Sequence, residues 1–285
     1  MNDLAPSSKA GGVLTENLAA LAEYAFRTAA VHCTDCALYH ALWSYERLSG
    51  VRGNGFETDR EILASLFRNH AGENSRVLIA GAADAGLLAL MAQSLDPSRP
   101  HITVADRCAT PLHVCTQYAA THALPVGTLV TDLISQPLSG KYELAFTHNL
   151  LRHLPRDRHV AFLRNLRDAL TPGGVLILAH SLPAAPTPGV PLSHYAARIF
   201  EALSSQGIGL PESEDRFRSR LEAYVESQPR WLDAIISPDH VERVFDTAGF
   251  RIVRRIDHER RTSVPDRDGG ATRPTPAHIF VAEPA

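Results

Sequence analysis

The stretch Ser75–Leu95, SRVLIAGAADAGLLALMAQSL, runs from a short β-rich segment through a glycine-bounded loop into an apolar helix. Most nucleotide-binding α/β domains open in this order. Their pyrophosphate rests on the free N–H groups of the helix's first turn, and glycines let the backbone come close. Here the loop reads GAADAG, residues 81–86, with no middle glycine and with Asp84 where a phosphate would lie. Asp84 would compete for those N–H groups and repel the phosphate, whereas as a helix N-cap it can accept hydrogen bonds from them. Gly81 and Gly86 keep the loop tight, and Ala82, Ala83 and Ala85 keep it thin. The loop therefore suits either a ligand with no phosphate at that point or a plain capped turn.

On either side of this stretch the pattern divides the chain. From Leu14 to about Phe67, apolar residues recur at three- and four-residue spacing in LTENLAALAEYAFRTAAVHC, CALYHALWSYERL and DREILASLF, which predicts an all-helical segment. After Asn74, β-rich runs alternate with helical ones: RVLIA, HITVA, VGTLV, YELAFT and, after the turn TPGG, GGVLILAHSL. That alternation predicts a parallel sheet with helices on both faces. The rhythm breaks at about 183–237, where the proline-rich PAAPTPGVP precedes two polar helices; an insertion of this kind usually covers a site or carries a partner surface. It resumes with SPDHVERVFDTAGF, a helix capped by Ser237 and ended by Gly249. The runs RIVRRID and HIFVAE follow, joined by a polar loop from about His258 to Pro276 and expected to pair as an antiparallel hairpin. The expected architecture is a doubly wound, seven-stranded, mostly parallel α/β sheet with a terminal antiparallel hairpin. Residues 1–72 would form a helical lid, and residues 73–285 the ligand-binding domain with its insertion.

Composition narrows the class. With 285 residues, 45% hydrophobic and 21% charged, the chain can bury a full core, and a formal charge of -3 leaves no basic stripe for nucleic acid. The N-terminal residues lack a basic segment ahead of an apolar one, and no run is long and apolar enough to span a bilayer, so a cytoplasmic protein with no membrane partner is expected. Four cysteines are too few for a disulfide scaffold in a chain of this length.

The strand ends carry the chemistry. HITVADRC ends the second strand in Asp106, followed by Arg107, about twenty residues past the loop, where such folds place an acid for ribose hydroxyls. GTLVTDLIS puts Asp132 just after the third strand, where its carboxylate can accept from an exocyclic amine while Leu133 offers its backbone N–H to a ring nitrogen. Each acid alone reads as a loop residue; three on successive strand tips form a pattern. The order of glycine loop, acid after the second strand, Asp after the third, YELAFTHNLLRHL at the fourth, LTPGGVLILAHS at the fifth and a terminal hairpin resembles the class I S-adenosylmethionine-dependent methyltransferases. The resemblance covers roughly Ser75–Ser181 and Ser237–Glu283. It departs from the family in the acid usually found within the first strand, here Ile79 or Ala80, and in the loop glycines. It implies S-adenosylmethionine as cofactor, with Gly81, Ala82, Ala83, Asp84 and Gly86 lining its methionine part, Asp106 with Arg107 at the ribose, and Asp132 with Leu133 at the adenine. Thr147, His148 and Asn149 would then stand near the transferred methyl, on its way to an O, N or S atom of a small organic acceptor, as in secondary metabolism.

Histidine suits removal of an acceptor proton because its pKa lies near neutrality. His148 and His153 are the candidates, with His194 in the insertion a candidate substrate contact. In HCTDCALYHALWSYERLSG, Cys36, His40, Trp43 and Arg47 share one helical face. A lid helix that packs Tyr39, His40 and Trp43 over the substrate, with Arg47 near a carboxylate, is the reading adopted. Cys33, Cys36 and His40 could also be read as soft-metal ligands, but a second ligand pair at zinc-finger spacing is absent and no metal is expected. Three other readings stay open: a methyltransferase-like enzyme that uses the sulfonium charge rather than its methyl, a nicotinamide-dependent oxidoreductase, and a non-catalytic partner subunit. The apolar positions of the N-terminal helices could equally serve a homodimer.

Overall fold

The computed structural model describes residues 12–51, 55–95, 100–181, 192–227, 237–263 and 272–285. Three helices come first, α1 (Gly12–His32), α2 (Ala37–Ser49) and α3 (Gly55–His70). The alternating part follows as β1 (Arg76–Ala80), α4 (Gly86–Leu95), β2 (His101–Asp106), α5 (Ala109–Thr121), β3 (Val126–Val130), β4 (Tyr142–His148), α6 (His159–Asp168) and β5 (Leu170–Ser181). The insertion contributes α7 (Leu192–Ser205) and α8 (Glu214–Ser227), and α9 (Pro238–Ala248), β6 (Phe250–Ser263) and β7 (Thr272–Pro284) complete the order. The proline-rich linker expected at residues 183–191 lies outside the described residues.

The strands form one seven-stranded sheet in the order β3-β2-β1-β4-β5-β7-β6. β1 to β5 pair in parallel, while β7 runs antiparallel between β5 and β6. Successive side chains of a strand face opposite ways, and the short buried runs use this fully. Val77 and Ile79 join a core with α3, α4 and α5, while Leu78 and Ala80 join a second core with α6 and α9 on the other face. The helix expected after Ser237 forms as its caps dictate. Ser237 Oγ accepts from the His240 N–H at 3.2 Å, Pro238 opens the first turn, and Gly249 closes the helix at φ +80°.

Two expectations about boundaries change. TPGG is not a turn ahead of β5 but part of an irregular pairing within it, since Tyr142 faces Leu170 and the register resumes only at Leu144 with Val175. The hairpin also extends well beyond RIVRRID and HIFVAE, because β6 runs on through Ser263 and β7 begins at Thr272. Backbone pairing of His258 with Ala277 and of Arg260 with Thr275 holds these polar residues in the sheet, although they lack an apolar alternation.

The N-terminal helices serve two different bodies. Leu63, Leu66 and Phe67 of α3 belong to the sheet's own core. Leu42 and Tyr45 of α2 belong to a third core with Ile199 and Leu203 of α7 and Phe217, Leu221 and Tyr224 of α8. Within that third core Glu46, 3% exposed, accepts hydrogen bonds from Tyr195 at 2.6 Å and from Tyr224. No helix among the described residues is long and apolar enough to cross a membrane.

Two hydroxyls from the insertion thus solvate a carboxylate that is nearly closed off from water. Tyr224→Phe removes one of them and should cost about 1–3 kcal/mol, the usual penalty for leaving a buried polar group short of a partner. Urea unfolding of the two proteins measures it; a change below the error of the fit would mean that Glu46 does not need the tyrosine.

Candidate functional site

The site is built at the carboxyl ends of β1, β2 and β4, where sheets of this kind bind their ligands. Gly81 leaves β1 at φ +83°, a conformation that favours glycine, and a Cβ there would stand 2.7 Å from Leu150 Cδ2. The glycine therefore serves both the turn and the close approach of Leu150. Asp84 accepts from the Gly86 N–H at 2.7 Å, so an N–H of the helix's first turn is already used. Its other carboxylate oxygen pairs with the Arg47 guanidinium, brought in by α2. A Cβ at Gly86 would lie 2.5 Å from Arg47 Nη1, so that glycine makes room for the arginine. This ion pair modifies the argument from sequence. Arg47 balances the charge of Asp84, so the loop presents an ion pair rather than a bare carboxylate.

The acid after β2 touches the loop directly. Asp106 accepts from the Ala82 N–H at 3.0 Å and from the Cys108 N–H at 2.8 Å. Burial pushes its carboxyl up against those two bonds. Each carboxylate oxygen offers two lone pairs, so both retain capacity for further donors. Arg107 is exposed beside it. Asp132 forms a tight local turn, accepting from the Ile134 N–H at 3.0 Å and from the Ser135 hydroxyl at 2.5 Å, bonds that hold it below the usual carboxylate range. Leu133 is buried beside it, its carbonyl accepting from Asn165 at 2.9 Å.

At the β4 tip, Thr147 is 1% exposed and its hydroxyl has no hydrogen-bond partner among the described residues. Asn149 takes a left-handed φ of +57°, and its side-chain oxygen accepts from the Ser181 N–H at 2.8 Å, which locks the tip of β4 to the end of β5. Tyr39 of α2 stacks on Trp43 with ring centres 5.6 Å apart and meets His153 at 6.0 Å, so two of the lid residues and one of the candidate bases share one aromatic mouth. His153 itself is exposed. His194 is exposed near the start of α7, and His40 is buried beside the sulfurs of Cys33, Cys36 and Cys108 with its ring edge-on to Tyr39, centres 5.1 Å apart. An open groove of about 740 Å³ bordered by Lys141, Arg167 and Asp168 lies at the opposite end of the sheet and contains none of these residues.

His148 sits in a cluster that the sequence did not reveal. Asp59 of α3, fully buried, accepts from Arg260 Nε at 2.8 Å and from His258 Nε2 at 2.6 Å, both on β6. Arg260 Nη2 is 2.9 Å from His148 Nε2, and because a guanidinium only donates, Nε2 is the acceptor. Burial, then the charges of Arg152 and Arg47, push His148 down to about 4. It is thus a neutral imidazole whose Nε2 lone pair is in use, fastening α3 and β6 to the β4 tip. Asp59, His258 and Arg260 carry no local motif, and only the long hairpin brings them together.

A histidine held below its unfolded value of about 6.5 binds its extra proton only in the unfolded chain. Its contribution to stability is therefore complete above about pH 6.5, declines as the pH falls and is lost near pH 4. For His148 this predicts about 2 kcal/mol less stability at pH 5 than at pH 7, a difference that His148→Gln should remove from the total slope. Denaturant unfolding of both proteins at the two pH values measures it, and equal slopes would contradict a buried neutral His148.

No family model matches this chain, and no curated protein matches it in sequence. Solved structures do resemble it. Magnesium protoporphyrin IX methyltransferase from Synechocystis PCC 6803, solved with bound SAH, is 14% identical with a TM-score of 0.50, over 85% of this chain and 94% of that one. A protein of Bacillus halodurans C-125 named as a candidate methyltransferase is 13% identical with a TM-score of 0.50, over 79% of this chain and 100% of that one. Mitomycin 7-O-methyltransferase gives 13% identity and a TM-score of 0.49 over 86% of this chain, which spans only 57% of its length. At these identities the likeness is one of architecture: the chain has the fold of the class I S-adenosylmethionine-dependent methyltransferases.

Proposed function

We propose that the protein is an S-adenosylmethionine-dependent methyltransferase acting on a small organic acceptor. The observation that carries this reading is the bond between Asp106 and the Ala82 N–H, which fixes the acid at the β2 tip against the loop after β1. A ribose acid and a methionine-lining loop are thereby held as one unit, at the ligand-binding end of a sheet of the right order. The residues fit the cofactor. Asp106 has lone pairs to spare for ribose hydroxyls, with Arg107 beside it, and Asp132 and Leu133 would flank the adenine. Gly81, Ala82 and Ala83 would line the methionine part, with Arg47 as the cation for its carboxylate. That assignment requires Arg47 to share itself between Asp84 and the ligand.

When bound, the cofactor supplies a methyl group already activated on a sulfonium. The chain's own work is to hold the acceptor in line and, where the acceptor carries a proton, to remove it. Tyr39 and Trp43 offer an aromatic wall for an organic acceptor, and Thr147 stands at the β4 tip. His153, exposed beside Tyr39, is placed to take a proton, while His148 positions the strand tip through Arg260. The reading includes a cytoplasmic setting and an acceptor from secondary metabolism.

Calorimetric titration with S-adenosylmethionine and S-adenosylhomocysteine tests the cofactor site. Wild type should bind both, Asp106→Ala should bind at least about tenfold more weakly, and Arg47→Met should lose affinity to a similar degree, each equivalent to about 1.4 kcal/mol or more. No heat from a folded sample would refute the cofactor assignment and favour a non-catalytic subunit whose loop is filled by its own Leu150 and Arg47. Binding without release of S-adenosylhomocysteine from any pooled acceptor would instead favour chemistry at the sulfonium other than methyl transfer.

A further inference from the structure

We propose that Cys33, Cys36, His40 and Cys108 form a structural zinc site that fastens the N-terminal helices to the tip of β2. Their ligand atoms, three sulfurs and one imidazole nitrogen, all lie within 4.8 Å of one another. The Cys33 and Cys108 sulfurs are 3.3 Å apart, and those of Cys36 and Cys108 3.6 Å. A tetrahedral zinc with Zn–S bonds of about 2.3 Å sets its sulfurs about 3.8 Å apart, so these two pairs need to open by a few tenths of an ångström and, within the 4.8 Å bound, no sulfur pair needs to close by more than about 1 Å. A disulfide would need about 2.05 Å, and all four cysteines are free thiols.

Each ligand is delivered by a defined piece of backbone. Cys33 and Cys36 flank the break between α1 and α2, His40 follows in the first turn of α2, and Cys108 precedes α5 directly after β2. Cys-x-x-Cys with a histidine one turn later lacks a fourth ligand as a local motif; the fold supplies it 72 residues beyond Cys36. Three thiolates and one imidazole make a closed set with no position left for water or substrate, which is the mark of a structural rather than a catalytic zinc. On binding, each of the three sulfurs yields its proton to solvent and donates a lone pair to the metal, with no change of oxidation state; the site with its dication carries one net negative charge.

The consequence is mechanical. Cys108 donates its N–H to Asp106 at 2.8 Å, and α2 carries Arg47 to Asp84. A metal at this point would hold α2 against the loop from one end while the ion pair holds it from the other.

The test uses the untagged full chain, purified with a non-chelating reductant. Elemental analysis should find about one zinc per chain, and cobalt added to metal-free protein should give the visible bands and thiolate-to-metal charge transfer of a tetrahedral sulfur-rich site. Cys36→Ser and Cys108→Ser should each lower the zinc content at least tenfold, whereas Cys115→Ala, which removes the one cysteine outside the cluster, should keep it. Chelation of the wild type should lower its Tm. Absence of zinc together with no cobalt spectrum overturns the proposal, as does a Cys33–Cys108 disulfide found by mass spectrometry in fresh protein. Zinc retained equally by all variants marks an adventitious ion and overturns it too. Where a variant fails to fold, the cobalt spectrum of the wild type decides.

Discussion

A loop that carries a carboxylate at the mouth of its helix must find a counter-charge, and in this protein the counter-charge arrives on a different element. Arg47 reaches Asp84 from α2, and the rest of the upper half of the molecule is arranged so that it can. Gly86 gives up its side chain to admit the guanidinium. Glu46, the preceding residue, turns away from the loop and is gripped by tyrosines of α7 and α8. Neighbouring residues on a helix point about 100° apart, so one short stretch of α2 joins the loop to the insertion. The partners are largely shielded, and such a pair is worth more for the geometry it imposes than for net stability, because desolvation offsets much of its attraction.

The face of α2 then reads as a sequence of tasks along its length. His40 turns to the sulfur cluster, Tyr39 and Trp43 form the aromatic mouth, and Arg47 closes on the loop. Helical spacing predicted that these residues lie near one another, but it could not say that they address different neighbours. In the structure the helix does not simply rest over a ligand; it is held at both ends and offers its middle to the solvent-facing side of the site.

The centre of the sheet was legible because β1 and β4 are short and buried on both faces. Val77 to Ala80 is apolar throughout, and such runs bounded by glycine or proline have few other readings. The caps of α9 were equally plain, since Ser237, Pro238 and Gly249 act on their immediate neighbours. What escaped was decided by distant partners. The second half of β6 is polar and has no period to detect; it is a strand because β7 pairs with it. Asp59 has nothing in its own stretch to mark it, yet it is fully buried because His258 and Arg260 meet it across 199 and 201 residues. Cys108 likewise has no partner at local spacing, its companions lying 72 and 75 residues earlier.

The placement of β7 also constrains when the molecule can become itself. It follows β6 in the chain, yet it sits inside the sheet, between β5 and β6, so β6 has no seat until β7 has been made. Until then Asp59, synthesised early, waits for an arginine that can reach it only from β6. Contacts of such sequence separation are slow to form, and the unfinished sheet edge along β5 is exposed meanwhile. A nascent chain should thus keep its sheet open at β5 until β7 has emerged, with that edge as the surface most in need of a chaperone.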